Sequence, residues 1–306
     1  MVGEKNVLVV GGSYFVGRVF VEALRRRPGY AIHVMNRGRR PLRLDGVREI
    51  VCDRHDRAAI NRRVPPHDWH AVIDFCAYRP DDVAALLGHV PGTIRQYVLI
   101  STATVVRNSS ALPMDDETPA LSAPLPGPGG DYGYQKRLAE VEAERTCRKR
   151  GIAYVGLRPP FIYGEYNYAP RESYFFDLMA KGETIVVPAP PQALFSMVSV
   201  WDVAGVCIAC LGNERVFGRP WIVSTDELIS YDRLIDTLAA IGGRPLDVRQ
   251  QPVRVIEAKG LPLPFPLTEH LVYSGARLRD TLRYEYGSFA QGMARTYEWF
   301  RSRGTR

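Results

Sequence analysis

Between residues 6 and 158 short apolar runs alternate with stretches of helical spacing, and that alternation leaves few folds open. Asn6–Val10 is a continuous apolar run, the pattern of a strand buried on both faces. Phe15–Arg27 follows, with Phe15, Val16, Val19, Phe20, Ala23 and Leu24 on one helical face. Pro28-Gly29 stops it. Further strands are predicted at Ala31–Met35, Glu49–Cys52, Ala71–Phe75, Gln96–Ser101 and Ala153–Arg158. Helices are predicted at Asp56–Arg62, Asp81–His89 and Asp131–Arg150, the last stopped by Gly151. Strand and helix in strict alternation call for right-handed crossovers and a parallel, doubly wound α/β sheet.

The second half breaks this rhythm. Pro159-Pro160, Pro188–Pro191 and Pro262-Leu263-Pro264-Phe265-Pro266 punctuate short mixed segments. Phe195–Leu211 reads as a strand and a helix, Trp221–Ser224 as a strand and Tyr231–Gly242 as a helix. A smaller domain capping the carboxyl edge of the sheet is expected. The 306 residues suit about two domains. With 27 Gly and 23 Pro, the chain falls below the roughly 25–30% that marks low-complexity sequences. Apolar stretches such as Val7–Val10 and Ile185–Val187 are far shorter than the about 20 residues of a membrane span. MVGEKNVLVV lacks the pattern of a signal peptide, and five cysteines, an odd number, read as reduced thiols. Both point to the cytoplasm and make the sequon at Asn108 irrelevant. The net charge of +7 is spread among acids. Its clusters, Arg25–Arg27, Arg37–Arg40 and Arg145–Arg150, suit solvated helix ends and an anionic small molecule better than nucleic acid.

The first strand runs into Gly11-Gly12-Ser13-Tyr14-Phe15-Val16-Gly17 and then a helix. Glycines at such a turn let backbone N–H groups at a helix N-terminus face a pyrophosphate. Gly11 and Gly17 keep the two ends of that pattern, while Tyr14 replaces the middle glycine. The turn predicts dinucleotide binding through Gly11, Ser13, Tyr14, Phe15, Val16 and Gly17, against the alternative of an ordinary tight βα turn. The second strand ends in Asn36-Arg37-Gly38-Arg39-Arg40, with no acid to hold a ribose 2′-hydroxyl. Guanidiniums suit a 2′-phosphate, which favours NADP over NAD; the alternative is a solvated basic loop. After the third strand, Asp53 and Arg54 sit at the cofactor edge, though Asp53 could instead cap the following helix. Cys76, Ala77 and Tyr78 follow the fourth strand and would line the cofactor by the same rule. Residues 1–165 are thus expected to form the dinucleotide-binding Rossmann domain. Residues 166–306 would be mainly substrate-binding, with about 195–225 returning to the sheet.

Tyr132 and Lys136 open the long helix four residues apart, on one face. A phenol with pKa near 10 is a poor base at neutral pH, and a nearby ammonium favours the phenolate. The fifth strand ends in Ser101-Thr102-Ala103-Thr104, whose hydroxyls could orient an alcohol. With these residues in place the chain resembles the extended short-chain dehydrogenase/reductases, the NAD(P)-dependent epimerase/dehydratase group. The likeness rests on VLVVGGSYFVG, CDRHD, YVLISTATVV, YGYQKRLAE, LRPPFIYGE and MVSVWDVAGV, and VYSGARLRDTLRYEY is similar to the family's C-terminal helix region. The resemblance implies that Tyr132 is the acid/base, that Lys136 lowers its pKa and holds the nicotinamide ribose, and that Thr102 is the catalytic hydroxyl. It also implies that Pro159 to Phe161 pass beside the nicotinamide. Tyr14 and Asn36-Arg37-Gly38 resemble an atypical branch, some of whose members have lost catalysis and bind RNA; all three catalytic positions are kept here. Val106 replaces a Tyr frequent in sugar epimerases. The family's 4,6-dehydratases carry Asp-Glu where this chain has Ala103-Thr104.

The resemblance implies an epimerase of a nucleotide-linked sugar, with an NADP-dependent reductase as one alternative and a nucleic-acid-binding protein as another. Thr104 and Asn167 are candidate substrate contacts. Cys207-Ile208-Ala209-Cys210 lies in an apolar helical stretch and reads as core rather than metal or redox site. No metal is expected, and His67 and His70 are placed on a surface loop. Leu138 and Val141, with Ala139 and Ala143, give the long helix an apolar stripe, and Val83, Leu86 and Leu87 do so for the Asp81–His89 helix. Many family members pair through these helices, so a homodimer is expected.

Overall fold

A computed structural model describes residues 3–127, 130–190 and 193–303; Pro191 of the proline-rich run lies outside these. The apolar runs form β1 (Lys5–Val10), β2 (Tyr30–Asn36), β3 (Val47–Val51), β4 (His67–Asp74), β5 (Gly92–Ile94), β6 (Gln96–Ile100) and β7 (Ala153–Arg158). Helices α1 (Phe15–Leu24), α2 (Arg57–Arg63), α3 (Pro80–His89) and α4 (Asp131–Arg150) connect them. The sheet order is β3-β2-β1-β4-β6-β7, extended past β7 by β11 (Arg219–Ile222), and every neighbouring pair is parallel. β5 pairs with the first residues of β4, ahead of β6. The chain builds outward from β1 to β3, then crosses back to β4. That reversal leaves a crevice at the carboxyl ends of β1 and β4.

Both faces of the sheet are covered. On one side Val16, Val19 and Phe20 of α1 pack with Val203, Ala204 and Cys207 of α6 (Val200–Ala209). On the other, Ile60 of α2, Leu86 and Leu87 of α3 and Ala139, Ala143 and Cys147 of α4 form a second core. Each fully buried Val, Leu or Ile side chain contributes roughly 1.5–3 kcal/mol. α4 ends where Gly151 takes φ +66°, as its position in the sequence requires. Cys207 and Cys210 are fully buried among apolar residues, and burial pushes both thiols up. The α3 stripe corrects the dimer argument: Val83, Leu86 and Leu87 are buried within this chain, against its own sheet and α4. Ala139 and Ala143 are buried too, which leaves Val141, 43% exposed, and the half-buried Leu138 facing outward.

The second half contains more regular structure than its sequence pattern suggested. β8 (Phe161–Tyr163) pairs with β10 (Met197–Ser199), and β9 (Ile185–Ala189) with β12 (Val248–Pro252). Around them lie α5 (Glu172–Lys181), α7 (Tyr231–Gly242), α8 (Val253–Ala258), α9 (Ala276–Leu282) and α10 (Phe289–Ser302). Phe265 stacks with Phe175 and Phe195, and Tyr231 meets them edge-on, in a separate aromatic core. Of the 195–225 stretch, β11 lies beside β7 in the main sheet, while β10 pairs with β8 outside it.

His67 and His70 are not on a loop: both belong to β4. Alternation along the strand turns His67 towards His33 of β2, ring centroids 4.9 Å apart, beside the buried Trp69. His33 is 2% exposed. Burial, with the charges of His67 and Arg48, pulls its pKa down to about 4 from the ordinary 6.5. The unfolded chain therefore binds a proton over this interval that the folded chain refuses. Stability should fall as pH drops from about 6.5 to about 4. Urea midpoints across this range should fall more steeply for the wild type than for His33→Leu; parallel slopes would refute the assignment.

Candidate active site

Six strand ends, those of β1, β2, β3, β4, β6 and β7, open into one cleft of about 810 Å³. Its floor is the turn after β1. Gly11 has φ +83°, the left-handed region that only glycine enters freely. Gly17 is held by contact: a Cβ there would meet the Gly11 carbonyl oxygen at 2.4 Å and the Gly12 Cα at 3.0 Å. α1 consequently starts directly above β1, and no side chain caps its first amides. Those N–H groups stay open to an anion. Ser13, Tyr14, Phe15 and Val16 also line the cleft.

At the far end Asn36, Arg37, Asp53 and Arg54 line the wall. Asn36 shapes its loop by accepting from the Gly38 N–H (2.7 Å) and donating to Glu49 (3.1 Å). Arg37 has no ion pair among the described residues and remains available. Asp53 is not the cap of α2; Asp56 fills that role on the Ala59 N–H (2.8 Å), while Asp53 accepts from the His55 N–H (3.0 Å). Arg54 lines the cleft, but its guanidinium is already engaged. It bonds Asp74 bidentately at 2.7 and 2.9 Å and donates to the Asp82 carbonyl (2.9 Å). Despite its burial, Asp74 is held below the usual carboxylate range by that guanidinium. Arg54 is thus a brace under the site rather than a free phosphate ligand.

Asp74 also accepts from the Cys76 N–H (3.0 Å) and the Tyr97 hydroxyl (3.0 Å), which fixes the segment after β4. Cys76 and Tyr78 line the cleft. Ala77 does not: its side chain is buried in the core, and only its carbonyl serves the site. That carbonyl accepts from Lys136 Nζ at 2.8 Å, and the Ile100 carbonyl accepts at 2.7 Å. Burial lowers Lys136 to about 8, with the charges of Asp74, Cys76 and Glu140 opposing the shift.

One turn earlier on α4, Tyr132 reaches the cleft and is 43% exposed. Desolvation by its surroundings and the neighbouring Tyr168 push its phenol up, while the Thr102 hydroxyl and the Arg171 charge pull it down. Lys136 is not among the groups that shift the Tyr132 phenol here, and two of its three ammonium N–H groups donate to carbonyls. Thr102 Oγ1 donates to Thr104 Oγ1 (3.1 Å) at the end of β6, and both line the cleft. Pro159 and Phe161 follow β7 along its wall.

Asn167 lies away from the cleft lining. Its amide donates to Glu172 at 3.0 Å and its oxygen accepts from the Ala169 N–H (3.0 Å), so it organises its own loop. Tyr168, Arg171 and Tyr273 also line the cleft, and none of them was a candidate from the sequence. Tyr168 lies in an irregular segment with no motif, and Tyr273 stands near the start of VYSGARLRDTLRYEY, whose likeness gave it no role. Arg171 precedes α5, its guanidinium 5.6 Å from the Phe161 ring centroid and donating to the Ile162 carbonyl (3.1 Å). Ser101 Oγ is buried without a partner among the described residues, a polar atom that a bound molecule could satisfy.

A glycine turn that leaves helix amides free, at the switch point of a doubly wound sheet, defines a dinucleotide-binding protein. The chain matches the NAD dependent epimerase/dehydratase family over residues 7–221, and it belongs to that family. It is 25% identical over 256 residues to the chloroplast stem-loop binding protein of 41 kDa b of Arabidopsis thaliana, covering 79% of this chain. It spans 64% of that relative's length. It is 21% identical over 265 residues to the UDP-glucose 4-epimerase of Vibrio cholerae, covering 79% of this chain and 77% of that protein. The structure of UDP-glucose 4-epimerase from Thermotoga maritima with UDP-glucose shares the fold, with a TM-score of 0.79 at 19% identity, over 97% of this chain and 99% of that one. No helix among the described residues is long and apolar enough to cross a membrane, and no group of three or more His, Cys, Asp or Glu among them could hold a metal.

Proposed function

We propose that the protein is an NAD(P)-dependent epimerase acting on a secondary alcohol of a nucleotide-linked sugar. The observation that carries this is the convergence of Thr102, Tyr132 and the buried Lys136 on the cleft that the glycine turn opens. The turn and the open amides of α1 suit a dinucleotide, Ser101 Oγ awaits a partner, and Arg37 is free for a 2′-phosphate. When bound, the nicotinamide supplies a hydride acceptor and returns the hydride. Thr102 Oγ1 orients the substrate hydroxyl, and the Tyr132 oxygen takes its proton and later gives it back. Arg171 favours the ionised phenol. Lys136, fixed to two strand-end carbonyls, holds α4 in the register that keeps Tyr132 at the cleft.

Loss of a proton and a hydride leaves a ketone, which can turn before both return. The buried Ala103 and the hydroxyl of Thr104 follow Thr102, so no carboxyl pair is there to drive elimination. On this side the lining is Phe161, Tyr168, Leu271, Tyr273 and the cation Arg171; the lining carboxylates, Asp53 and Asp82, belong to the other end. Aromatic walls with one guanidinium suit an anionic, ring-bearing substrate. In this reading residues 1–165 hold the cofactor and residues 166–306 supply most substrate contacts.

A net reductase would need added nicotinamide for turnover, whereas an epimerase carries its cofactor through. The name of the chloroplast relative, a stem-loop binding protein, favours one further reading, nucleic-acid binding. Steeply salt-dependent RNA binding without redox activity would replace the enzyme reading.

Tyr132→Phe should slow turnover at least about a hundredfold, the scale of a positioned acid/base, while cofactor affinity stays close to wild type. Full turnover in that variant would remove Tyr132 from the reaction. Arg37→Asp should weaken NADPH more than NADH in titrations of nicotinamide fluorescence, because a carboxylate repels a 2′-phosphate. An equal loss for both would make Arg37 a solvated loop residue. We also propose a homodimer, now resting on Leu138 and Val141 of α4 alone. Light scattering should give twice 34.3 kDa at micromolar protein, and Val141→Glu should halve it; a wild-type monomer at all concentrations would end that idea.

A further inference from the structure

Above the phosphate-binding turn three side chains meet that a glycine motif does not call for. Tyr14 stands where the middle glycine belongs, yet its φ of −149° is ordinary extended backbone. The φ there does not need glycine, so the substitution acts on the space above the turn, into which a ring now projects. The Tyr14 ring stacks on Tyr168, centroids 5.6 Å apart and planes 24° off parallel. The Arg40 guanidinium lies 4.1 Å from the centroid of the same ring and has no ion pair among the described residues. Tyr168 also meets Phe15 edge-on at 5.8 Å. Phe15 has φ +44°, a costly conformation for a bulky residue and one that persists only where its neighbours enforce it.

Tyr168 is 63% exposed, but the segment between β8 and α5 that carries it is tied down. The buried Glu172 carboxylate accepts from the Gly164 N–H and from Asn167, both at 3.0 Å. Tyr166 donates to Glu22 of α1 (3.2 Å) and packs on Trp299 of α10 (5.3 Å). These ties bracket Tyr168 and set it across the turn from Tyr14.

We propose that Tyr14, Tyr168 and Arg40 form a clasp over the turn that slows departure of a bound dinucleotide. The proposal rests on the reading of the cleft as a dinucleotide site. Two aromatic rings shed water from one side of the turn, and the guanidinium, packed on the Tyr14 ring, holds that ring in place. A cofactor that leaves slowly suits an enzyme that must take its hydride back.

The test uses the full chain preloaded with NADPH and chased with excess NADP, following nicotinamide fluorescence. Tyr168→Ala and Tyr14→Gly should each speed release about tenfold, because each removes half of the stack. The double variant should release no faster than the faster single, since both remove one interaction. Tyr168→Phe, which keeps the ring, should release at the wild-type rate. Thermal unfolding midpoints check that the variants stay folded, and Tyr14→Gly restores the ordinary motif. Release within twofold of wild type in both single variants, slower release in Tyr168→Ala, or Tyr168→Phe as fast as Tyr168→Ala would each overturn the clasp. A wild type that binds neither NADPH nor NADH would overturn the dinucleotide reading and the clasp with it; binding that the variants leave unchanged would overturn the clasp alone.

Discussion

A single buried ammonium ties the three parts of the site together. Lys136 Nζ donates to the carbonyls of Ala77, after β4, and Ile100, at the end of β6. Burying a charge is costly unless it is hydrogen-bonded and answered by opposite charge. Here two carbonyls satisfy the ammonium, and Asp74 and Glu140 supply negative charge nearby. The result fixes the rotation and height of α4 against the sheet. Tyr132 then stands one turn before Lys136 at the cleft, and Thr102 two residues beyond Ile100.

Beneath this lies a second buried charge system. Arg54 and Asp74 pair bidentately, and Asp74 accepts further bonds from Cys76 and Tyr97. On the sheet edge of α4, Glu140 pairs with Arg158 of β7 at 2.7 and 2.8 Å. Removing one partner of such a pair strands a buried charge, which typically costs about 3–5 kcal/mol. The strand ends around the cleft are therefore rigid before any ligand arrives, as a preorganised site requires.

The glycine turn shows how one position can depart from a motif without losing its backbone. Gly17 is required by contact with the Gly11 carbonyl, and Gly11 by its positive φ. The middle position is required by neither, so Tyr14 is tolerated there and its ring becomes available for packing. Tyr168, from the far side of the cleft, takes up that offer.

The doubly wound sheet was legible because buried parallel strands need continuous apolar runs and crossover helices need a 3.6-residue period; α4 and β7 coincide with their sequence ranges. The glycine turn, Thr102, Tyr132 and Lys136 were legible for the same reason: each is local, a few residues on one turn or one helix face. What lies in the second half was not, because its strands are three to five residues long and its core is assembled from distant aromatics such as Phe175, Phe195 and Phe265. Tertiary structure alone decided that Arg54 is engaged by Asp74 beneath the cofactor edge, that Ala77 turns inward, and that Asn167 serves its own loop. It also covered Val83 and Leu87 with the chain's own core and brought Tyr168 to Tyr14 across 154 positions of sequence. Periodicity encodes which face of an element is apolar; which partner meets that face depends on long-range packing, to which local spacing is blind.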